Sequence, residues 1–430
     1  MVPVYLNSKN MTHTQVPFFR PQIGQQEVDE VASTLRSGWL TTGPKVKLFE
    51  KRFAAAVGAT HAVAVNSCTA ALHLAVEAMG LKQGEAVLVP TMTFAATAEV
   101  VRYHGAIPVL VDCDPVTTNM NLEDAARKIH LPVVGILPVH VGGFMMDLDA
   151  LKSFAQRHGL WMVEDAAHAF PAAWRKDPSQ PWQRCGENSA AVTCFSFYAN
   201  KTITTGEGGM AVTNDEAVAA RLRMMSLHGL SHDAWDRYSS QGSWDYQIVA
   251  PGYKYNLTDI AASIGLYQLQ RAEEMRQERE AIALQYLAAF ADVAEIDLPP
   301  IDENRIHSWH LFPIRLRLDR LSITRESFIK KLKQAGVGCS VHWRPLHLHP
   351  YYREKFGFQP HEFPVASSIW KGLISLPIFQ GMVPSETNYV IETVKNICCE
   401  SARRKLLGRA NINPNGKSIP ARFIPRMSNA

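Results

Sequence analysis

Short apolar runs alternate with amphipathic stretches over the first half of the chain. Val28, Val31 and Leu35 share one face at helical spacing, and Gly38 ends that pattern. Uniformly apolar runs that predict strands then recur between helix-like stretches, at residues 61–65, 86–89, 108–112, 133–139, 161–164 and 191–197. Strands without polar alternation are buried on both faces, so the pattern predicts an α/β fold with a mostly parallel sheet covered by helices.

The pattern changes in the second half of the chain. Apolar residues at helical spacing predict one long helix from about Leu257 through Glu280, and shorter elements follow from about residue 290. We therefore predict a large cofactor-binding domain over residues 22–280 and a smaller C-terminal α/β domain over residues 281–400. The flanks are an N-terminal extension, residues 1–21, and a tail, residues 401–430, with too few apolar residues to fold alone.

Composition leaves room for a large core, and charge excludes one class of partner. The 430 residues are 47% hydrophobic, and the net charge is +4. The tail holds seven Arg or Lys and no acidic residue, which leaves residues 1–400 at −3 and argues against nucleic-acid binding. Seven cysteines without paired C-x-x-C spacing favour neither a disulfide framework nor structural zinc and fit a reducing cytosol. Without a signal-like start or a run of 18 apolar residues, we expect a soluble cytoplasmic protein with no membrane partner.

Lys201 has the setting of a reactive lysine. It lies between an apolar run and the glycine-rich residues 206–209. An amine forms an imine with an aldehyde only when it is neutral, and Phe195, Phe197 and Tyr198 would lower its pKa by disfavouring the ammonium form. A solvated lysine on a surface turn is the alternative, because most lysines are exposed.

Other residues match what a phosphate-bearing aldehyde cofactor such as pyridoxal 5'-phosphate requires. Asp165 follows an apolar strand and could hold the ring nitrogen, or it could be a helix N-cap. The turn at residues 67–69 opens a helix, so its N–H groups and the Thr69 hydroxyl suit a phosphate or an ordinary cap. Ser196 offers a second hydroxyl, and Phe94 could stack on the ring or belong to the core.

Seven segments stand in one order along the chain: residues 38–44, 66–72, 90–94, 164–168, 195–197, Lys201 with 206–209, and 252–259. Together they resemble the DegT/DnrJ/StrS family of pyridoxal-phosphate sugar aminotransferases over nearly all of residues 16–397. The resemblance implies the fold type I aminotransferase architecture, as a homodimer with active sites at the subunit interface. A dehydratase branch of that family has histidine in place of the lysine, so Lys201 indicates transamination.

The resemblance also implies roles for single residues. Lys201 would carry the cofactor, and Asp165 would pair with its ring nitrogen; both would be catalytic. His168 would lie near the phenolic oxygen of the ring, and Phe94 would stack on the ring. The phosphate would be held by three residues of one subunit and one of its partner, namely Cys68, Thr69, Ser196 and, from the other subunit, Asn256.

The segment at residues 341–349 holds three histidines, but neither an acidic partner nor helical i, i+4 spacing supports a metal site, so no metal is predicted. Relatives have a similar run near the nucleotide-sugar site. The resemblance therefore implies that His342 and Arg344 contact the diphosphate or the sugar. Thr41 and Lys254, which lie in two of the seven segments, are the other predicted substrate-binding residues.

The expected function is transfer of an amino group from glutamate to a keto carbon of a nucleotide-linked deoxysugar, in surface polysaccharide or glycoconjugate biosynthesis. Two alternatives stay open. The first is an aminotransferase for a keto-inositol, and a lack of cations near the cleft would favour it. The second is a non-catalytic regulatory protein that binds the cofactor, against which the pairing of Lys201 with Asp165 argues.

Overall fold

The computed structural model describes residues 14–130, 132–187, 189–230 and 247–403. Most of the predicted N-terminal extension, residues 1–13, and most of the predicted basic tail, residues 404–430, lie outside the described residues. Within the described residues no helix is both long and apolar enough to cross a membrane.

The elements are numbered in chain order. Strands β1 to β13 are His61–Val65, Ala86–Pro90, Ile107–Val111, Val133–Ile136, Trp161–Asp165, Ala173–Trp174, Gln183–Arg184, Val192–Ser196, Gly209–Thr213, Ile296–Asp297, Arg305–Ile306, Phe312–Leu316 and Leu373–Leu376. Helices α1 to α13 are Gln25–Ser37, Pro44–Val57, Cys68–Ala78, Ala95–Tyr103, Leu122–Arg127, Leu148–His158, Glu216–Ser226, Asp259–Gln270, Ala272–Phe290, Arg325–Gln334, Pro350–Phe356, Pro364–Gly372 and Pro384–Ser401.

The central sheet is mostly parallel, which confirms the prediction from the apolar runs. Within the described residues it has seven strands in the order β1-β9-β8-β5-β4-β2-β3. Neighbours from β8 to β3 pair in parallel, whereas β9 runs antiparallel to both β1 and β8. Each of the six runs predicted as strands contains a strand of this sheet.

Alternate residues of the strands supply two separate cores, one on each face of the sheet. Ala64 and Leu88 pack with the helices α2, α6 and α8 on one face, whereas Val63 and Val87 pack with α3, α4 and α7 on the other. Because both faces are covered, the strands carry no polar face, and this explains why they read as continuous apolar runs.

The reversed strand β9 forms a hairpin with β8, and Lys201 lies in the connection between them. The sequence pattern did not predict β9, because its first residues belong to a glycine-rich segment that reads as a turn. Gly209 pairs with Ser196 on one side and with Val65 on the other. The hairpin therefore brings the lysine connection and the end of β1 to the same edge of the sheet.

The prediction of one helix from Leu257 through Glu280 is wrong. The structure has two helices, α8 and α9, with Arg271 between them at φ −101° and ψ 5°. The Arg271 guanidinium donates to Glu27 of α1 at 2.6 Å, and its N–H donates to the Gln268 carbonyl three residues back. A tertiary contact at the junction thus overrides a helical periodicity that continues through it.

Helix α9 crosses the predicted domain boundary at residue 280. Its first half adds Ala272 and Met275 to a core of the central sheet, whereas Tyr286 and Phe290 belong to a third core in the C-terminal region. That core packs against the antiparallel sheet β10-β12-β13 and includes Val16 of the N-terminal segment. The boundary within α9 stays a prediction.

Candidate active site

The carboxyl ends of β5 and β8 and the start of α3 surround one cavity of about 350 Å³. Eight of the residues that the sequence singled out line it: Cys68, Thr69, Phe94, Asp165, His168, Ser196, Lys201 and His342. Parallel sheets bind their ligands at this edge. The remaining four, Thr41, Lys254, Asn256 and Arg344, lie outside the lining.

The Lys201 amine is held in a setting that favours its neutral form. Its Nζ lies 3.3 Å from Nε2 of His310. Burial is the main cause that lowers the pKa of Lys201 to about 8, and the positive charge of Arg279 lowers it further, against the opposing influence of Cys68 and Asp165. A pKa near 8 leaves a useful fraction of the amine unprotonated at neutral pH, as imine formation and proton transfer require. The Lys201 side chain is half-buried in the cavity lining, which argues against the alternative of a solvated lysine on a surface turn.

Asp165 is a buried carboxylate at the end of β5. It accepts a hydrogen bond from the Thr97 hydroxyl at 2.7 Å and another from the Ala167 N–H at 3.1 Å. Burial raises the pKa of Asp165, while these two donors oppose that rise. The residues that follow it form turns, so the N-cap alternative is wrong. Asp165 also lines the cavity, so its carboxylate can interact with a molecule bound there.

The turn at the start of α3 is built to receive an anion. The Ser67 hydroxyl caps the helix by accepting from Ala70 N–H at 3.1 Å, and the N–H groups of Cys68 and Thr69 have no acceptor in the described parts of the chain. A Cβ on Gly209 would lie 2.4 Å from the Ser67 carbonyl carbon and 2.6 Å from Cys68 N. Only glycine lets β9 pass this close to the turn, so Gly209 sets the position of the free N–H groups.

Two flat groups face the cavity. Phe94, directly before α4, is 60% exposed although it is a large apolar side chain. His168 is buried and stacks on Trp343 with ring centroids 5.0 Å apart. Burial lowers the pKa of His168 well below its ordinary value, and its Nδ1 accepts from Gly142 N–H at 3.3 Å. The ring is therefore neutral with its proton on Nε2, which can donate to an oxygen in the cavity.

Thr41, Lys254 and Asn256 form a group outside this cavity. The Asn256 amide donates to the Thr42 hydroxyl at 2.7 Å and accepts from the Lys254 amine, while the Thr41 carbonyl accepts from Asp259 N–H. Asn256 thus meets Lys254 and Thr42, and none of these residues is part of the lining around Lys201. Arg344 is exposed and donates to the Leu348 carbonyl at 2.8 Å.

The three histidines of residues 341–349 have separate hydrogen-bond partners. His342 binds Ser375, His347 lies between Thr91 and Ser367, and His349 binds the Arg344 carbonyl. Burial lowers the pKa of His342 to about 4, with Lys201 as a second cause. The neutral His342 ring therefore faces the cavity as a polar group without charge.

A buried pair supports the strand end that carries Asp165. His140 Nε2 lies 3.8 Å from Glu164 Oε2, which also accepts from the hydroxyls of Ser189 and Thr193. The His140 N–H donates to the Asp165 carbonyl at 3.3 Å. Together with Cys185, the pair brings three potential metal ligands within 4.8 Å. Because Glu164 accepts from two hydroxyl groups and the His140 backbone bonds to Asp165, we interpret the pair as a structural support of β5 and not as a metal site.

Sequence reasoning missed four residues of the site: Thr97, Arg279, His310 and Trp343. His310 precedes the apolar strand β12 and is 109 positions from the lysine that it contacts. Thr97 is one of several hydroxyl residues after β2. Nothing local in the sequence distinguishes such residues, because only the tertiary fold brings them to the cavity.

The residues present fit a phosphorylated pyridine aldehyde. The cavity combines an amine of lowered pKa, a buried carboxylate, free N–H groups at a helix start and an exposed aromatic ring. These are an aldehyde-binding group, a partner for a protonated ring nitrogen, donors for a phosphate and a stacking surface.

Comparison with known proteins gives one consistent result. The sequence model of the DegT/DnrJ/EryC1/StrS aminotransferase family matches residues 21–395. The spore coat polysaccharide biosynthesis protein SpsC of Bacillus subtilis is 43% identical over 383 residues, which are 89% of this chain and 97% of SpsC.

Solved structures agree with the sequence comparison. Spr1654 from Streptococcus pneumoniae, assigned as a sugar aminotransferase, has 32% identity and a TM-score of 0.81 in its PLP form, covering 90% of this chain and 99% of its own. It also has a PMP form. DesV from S. venezuelae has 31% identity and a TM-score of 0.80, covering 89% of this chain and 98% of its own. The expected fold type I architecture is confirmed.

Proposed function

Because the chain belongs to the DegT/DnrJ/EryC1/StrS aminotransferase family, we propose that it transfers an amino group from glutamate to a keto carbon of a nucleotide-linked deoxysugar. The family resemblance drawn from the seven segments is confirmed, and the protein is a pyridoxal-phosphate-dependent sugar aminotransferase. The relation to SpsC supports a place in polysaccharide biosynthesis. The nucleotide-linked acceptor and glutamate as donor are our proposal.

The observation that carries the proposal is the Lys201 amine, at a pKa of about 8, in one cavity with the buried Asp165 carboxylate. When bound, pyridoxal phosphate supplies an electron sink for the pair released as a proton leaves the substrate carbon. We assign to Lys201 Nζ the transfer of that proton, first as base and then as acid. Asp165 would keep a proton on the ring nitrogen, and His168 Nε2–H would donate to the ring oxygen.

The remaining cavity residues would bind and orient the cofactor. Cys68 and Thr69 would donate their N–H groups to the phosphate, with the hydroxyls of Thr69 and Ser196 as further donors. Phe94 would cover one face of the ring and exclude water there. His342 would present a neutral ring to the substrate side of the cavity.

We propose that a second copy of the chain completes each site. Asn256, Lys254 and Thr41 lie outside the cavity lining of their own chain, Asn256 contacts Lys254 and Thr42, and the family resemblance assigns Asn256 to the phosphate of the partner. Large apolar side chains near both groups are exposed: Phe94, Tyr198 at 44% and Leu40 at 44%. A homodimer would cover them and bring a Lys254 ammonium to the partner's substrate.

A panel of substrates tests the function. The purified protein is incubated with glutamate and one acceptor at a time, namely UDP-linked, dTDP-linked and GDP-linked 4-keto and 3-keto deoxysugars, and 2-oxoglutarate is measured. We expect turnover with at least one nucleotide keto-sugar and none with the free keto-sugar. Turnover confined to acceptors without a nucleotide would refute the proposed substrate class.

One observation favours a second candidate, a keto-inositol aminotransferase. Among the described residues, Lys201 is the only Lys or Arg that lines the cavity, and Arg344 points to the Leu348 carbonyl instead. A diphosphate normally requires cations, whereas a neutral cyclitol does not. Adding a keto-inositol to the same panel of acceptors separates the two candidates. The Lys254→Ala variant gives a second test: it should raise the KM for a nucleotide sugar and leave the KM for a cyclitol unchanged.

A further inference from the structure

Arg279 is a buried cation behind the Lys201 connection. The residue is 1% exposed, and it makes no ion pair with any carboxylate of the described residues. Burial lowers the pKa of Arg279 to about 10. A guanidinium removed from water is costly unless its donors find acceptors, so the positions of its acceptors matter.

The acceptors of Arg279 are carbonyl groups around the lysine. Its Nη2 donates to the Asn200 carbonyl at 3.5 Å, and its Nε donates to the Gln380 side chain at 3.1 Å, whose amide in turn donates to the Thr202 carbonyl at 3.3 Å. Asn200 and Thr202 are the two neighbours of Lys201. The Nη1 atom reaches the carbonyls of Ile378, Trp309 and His310 at 2.9, 3.3 and 3.5 Å.

We propose that Arg279 is a positioning residue for Lys201. One buried guanidinium contacts the backbone before the lysine directly at Asn200 and the backbone after it through Gln380. It also contacts the backbone of His310, whose ring lies 3.3 Å from the lysine amine. The planar fork of donors allows these contacts at once, which a lysine at the same place cannot reproduce. The inference rests on the proposed role of Lys201.

The charge of Arg279 acts on the same amine. The titratable groups that face Lys201 are Cys68, Asp165, His168, His310, His342 and Arg279. Burial and the unpaired positive charge of Arg279 both disfavour the ammonium form, whereas Cys68 and Asp165 favour it. Removing the Arg279 charge should therefore raise the pKa of Lys201.

The test measures Lys201 directly in the full-length protein without cofactor. Competitive acetylation over a pH series, with mass spectrometry of the Lys201 peptide, gives the midpoint at which the amine becomes reactive. In Arg279→Met we expect the midpoint to rise and kcat of the reconstituted enzyme to fall by roughly tenfold to a hundredfold, the scale of a displaced catalytic group. In Arg279→Lys, which keeps the charge and loses the fork, we expect an unchanged midpoint and a lowered kcat.

Arg276→Met is the matched control. Arg276 is buried one turn earlier in the same helix, but it pairs with Glu273 and Glu280 instead of the lysine connection. We expect both its Lys201 midpoint and its kcat to match the wild type. An Arg279→Met protein that keeps its kcat, or loses kcat without a rise in the midpoint, overturns the proposal.

A second variant covers the case in which Arg279→Met does not fold. Gln380→Met removes the hydrogen bond to the Thr202 carbonyl and leaves the positive charge of Arg279 in place. We therefore expect kcat to fall while the Lys201 midpoint stays unchanged, and an unchanged kcat overturns the proposal. A wild-type Lys201 midpoint at the ordinary lysine value contradicts the proposed function itself. A lowered wild-type midpoint that no Arg279 variant moves contradicts only the role of Arg279.

Discussion

At the residue scale, the proposed chemistry needs an amine that is available as a base next to a carboxylate that stays charged. Asp165 is buried and Lys201 is half-buried, and loss of contact with water favours the neutral form of both groups. Hydrogen bonds from Thr97 and Ala167 oppose this for Asp165, whereas the Lys201 amine has the imidazole of His310 as its hydrogen-bond partner within the described residues. Asp165 is therefore suited to stay a charged carboxylate, and Lys201 is suited to be a neutral amine.

Asp165→Asn tests the task of the carboxylate. The amide oxygen can still accept from the Ala167 N–H, and the amide NH2 in place of the second oxygen can donate to the Thr97 hydroxyl, so we expect a folded protein that binds the cofactor. It cannot hold a proton on the ring nitrogen, so kcat should fall by roughly a hundredfold or more, the scale of a lost proton-transfer partner. The measurement is steady-state kinetics with spectroscopic titration of the cofactor. Near-normal kcat would reduce Asp165 to a structural residue.

Capture of the cofactor should depend on pH through Lys201. Because the pKa of Lys201 is about 8 and only the neutral amine reacts with an aldehyde, the capture rate of the protein without cofactor should rise with pH and level off above about 8. Stopped-flow absorbance measures it, with free Nα-acetyl-lysine as the control for titration of the cofactor itself. A rate that keeps rising like that of the free amine would show an ordinary lysine.

At the element scale, the positions of the strands along the chain follow from the sequence far better than the junctions between elements do. The apolar runs predict the strands because burial on both faces leaves them no polar positions. The break at Arg271 and the reversed strand β9 escape prediction, since one depends on Glu27 some 240 positions away and the other on a glycine that permits close approach.

Gly209→Ala tests the approach of β9 to the phosphate turn. The added Cβ would meet the Ser67 backbone at 2.4 Å, and backbone atoms cannot move aside cheaply, so the turn must shift. We expect the Kd for pyridoxal phosphate to rise about tenfold or more, the effect of roughly 1.4 kcal/mol. Gly24→Ala is the control, because φ at Gly24 is −100°, which alanine adopts, and the added Cβ would lie 3.1 Å from the Glu27 carboxylate and not against backbone atoms. Cofactor affinity within about twofold of the wild type would contradict the account.

At the scale of the whole molecule, the proposed homodimer implies that one chain holds parts of two sites. The lining of the cavity around Lys201 does not include Thr41, Lys254 or Asn256. The family segments that carry these three residues are nevertheless as recognisable in the sequence as the segments that carry the cavity residues. Residues of one site can be recognised in a sequence, but which subunit they serve depends on a contact between chains. The proposed homodimer resolves this arrangement.

Mixing two inactive variants tests the shared site. Lys201→Ala and Asn256→Ala damage different sites if Asn256 serves the partner, so each mixed dimer has one site with both lesions and one with neither. Activity should rise above that of either parent after subunit exchange. Mixing Lys201→Ala with Asp165→Asn is the control and should give no rise, because those residues share one chain's cavity. Equal behaviour of the two mixtures would place Asn256 in the site of its own chain.

The central claim is that Lys201 carries the cofactor, and chemical trapping tests it most directly. The holoenzyme is reduced with borohydride, which fixes pyridoxal phosphate to the lysine that holds it, and the peptides are mapped by mass spectrometry. We predict a phosphopyridoxyl group on Lys201 alone, and none on any residue of Lys201→Ala treated in the same way. A label on another lysine, or an unlabelled Lys201 in a protein that turns over substrate, would contradict the account.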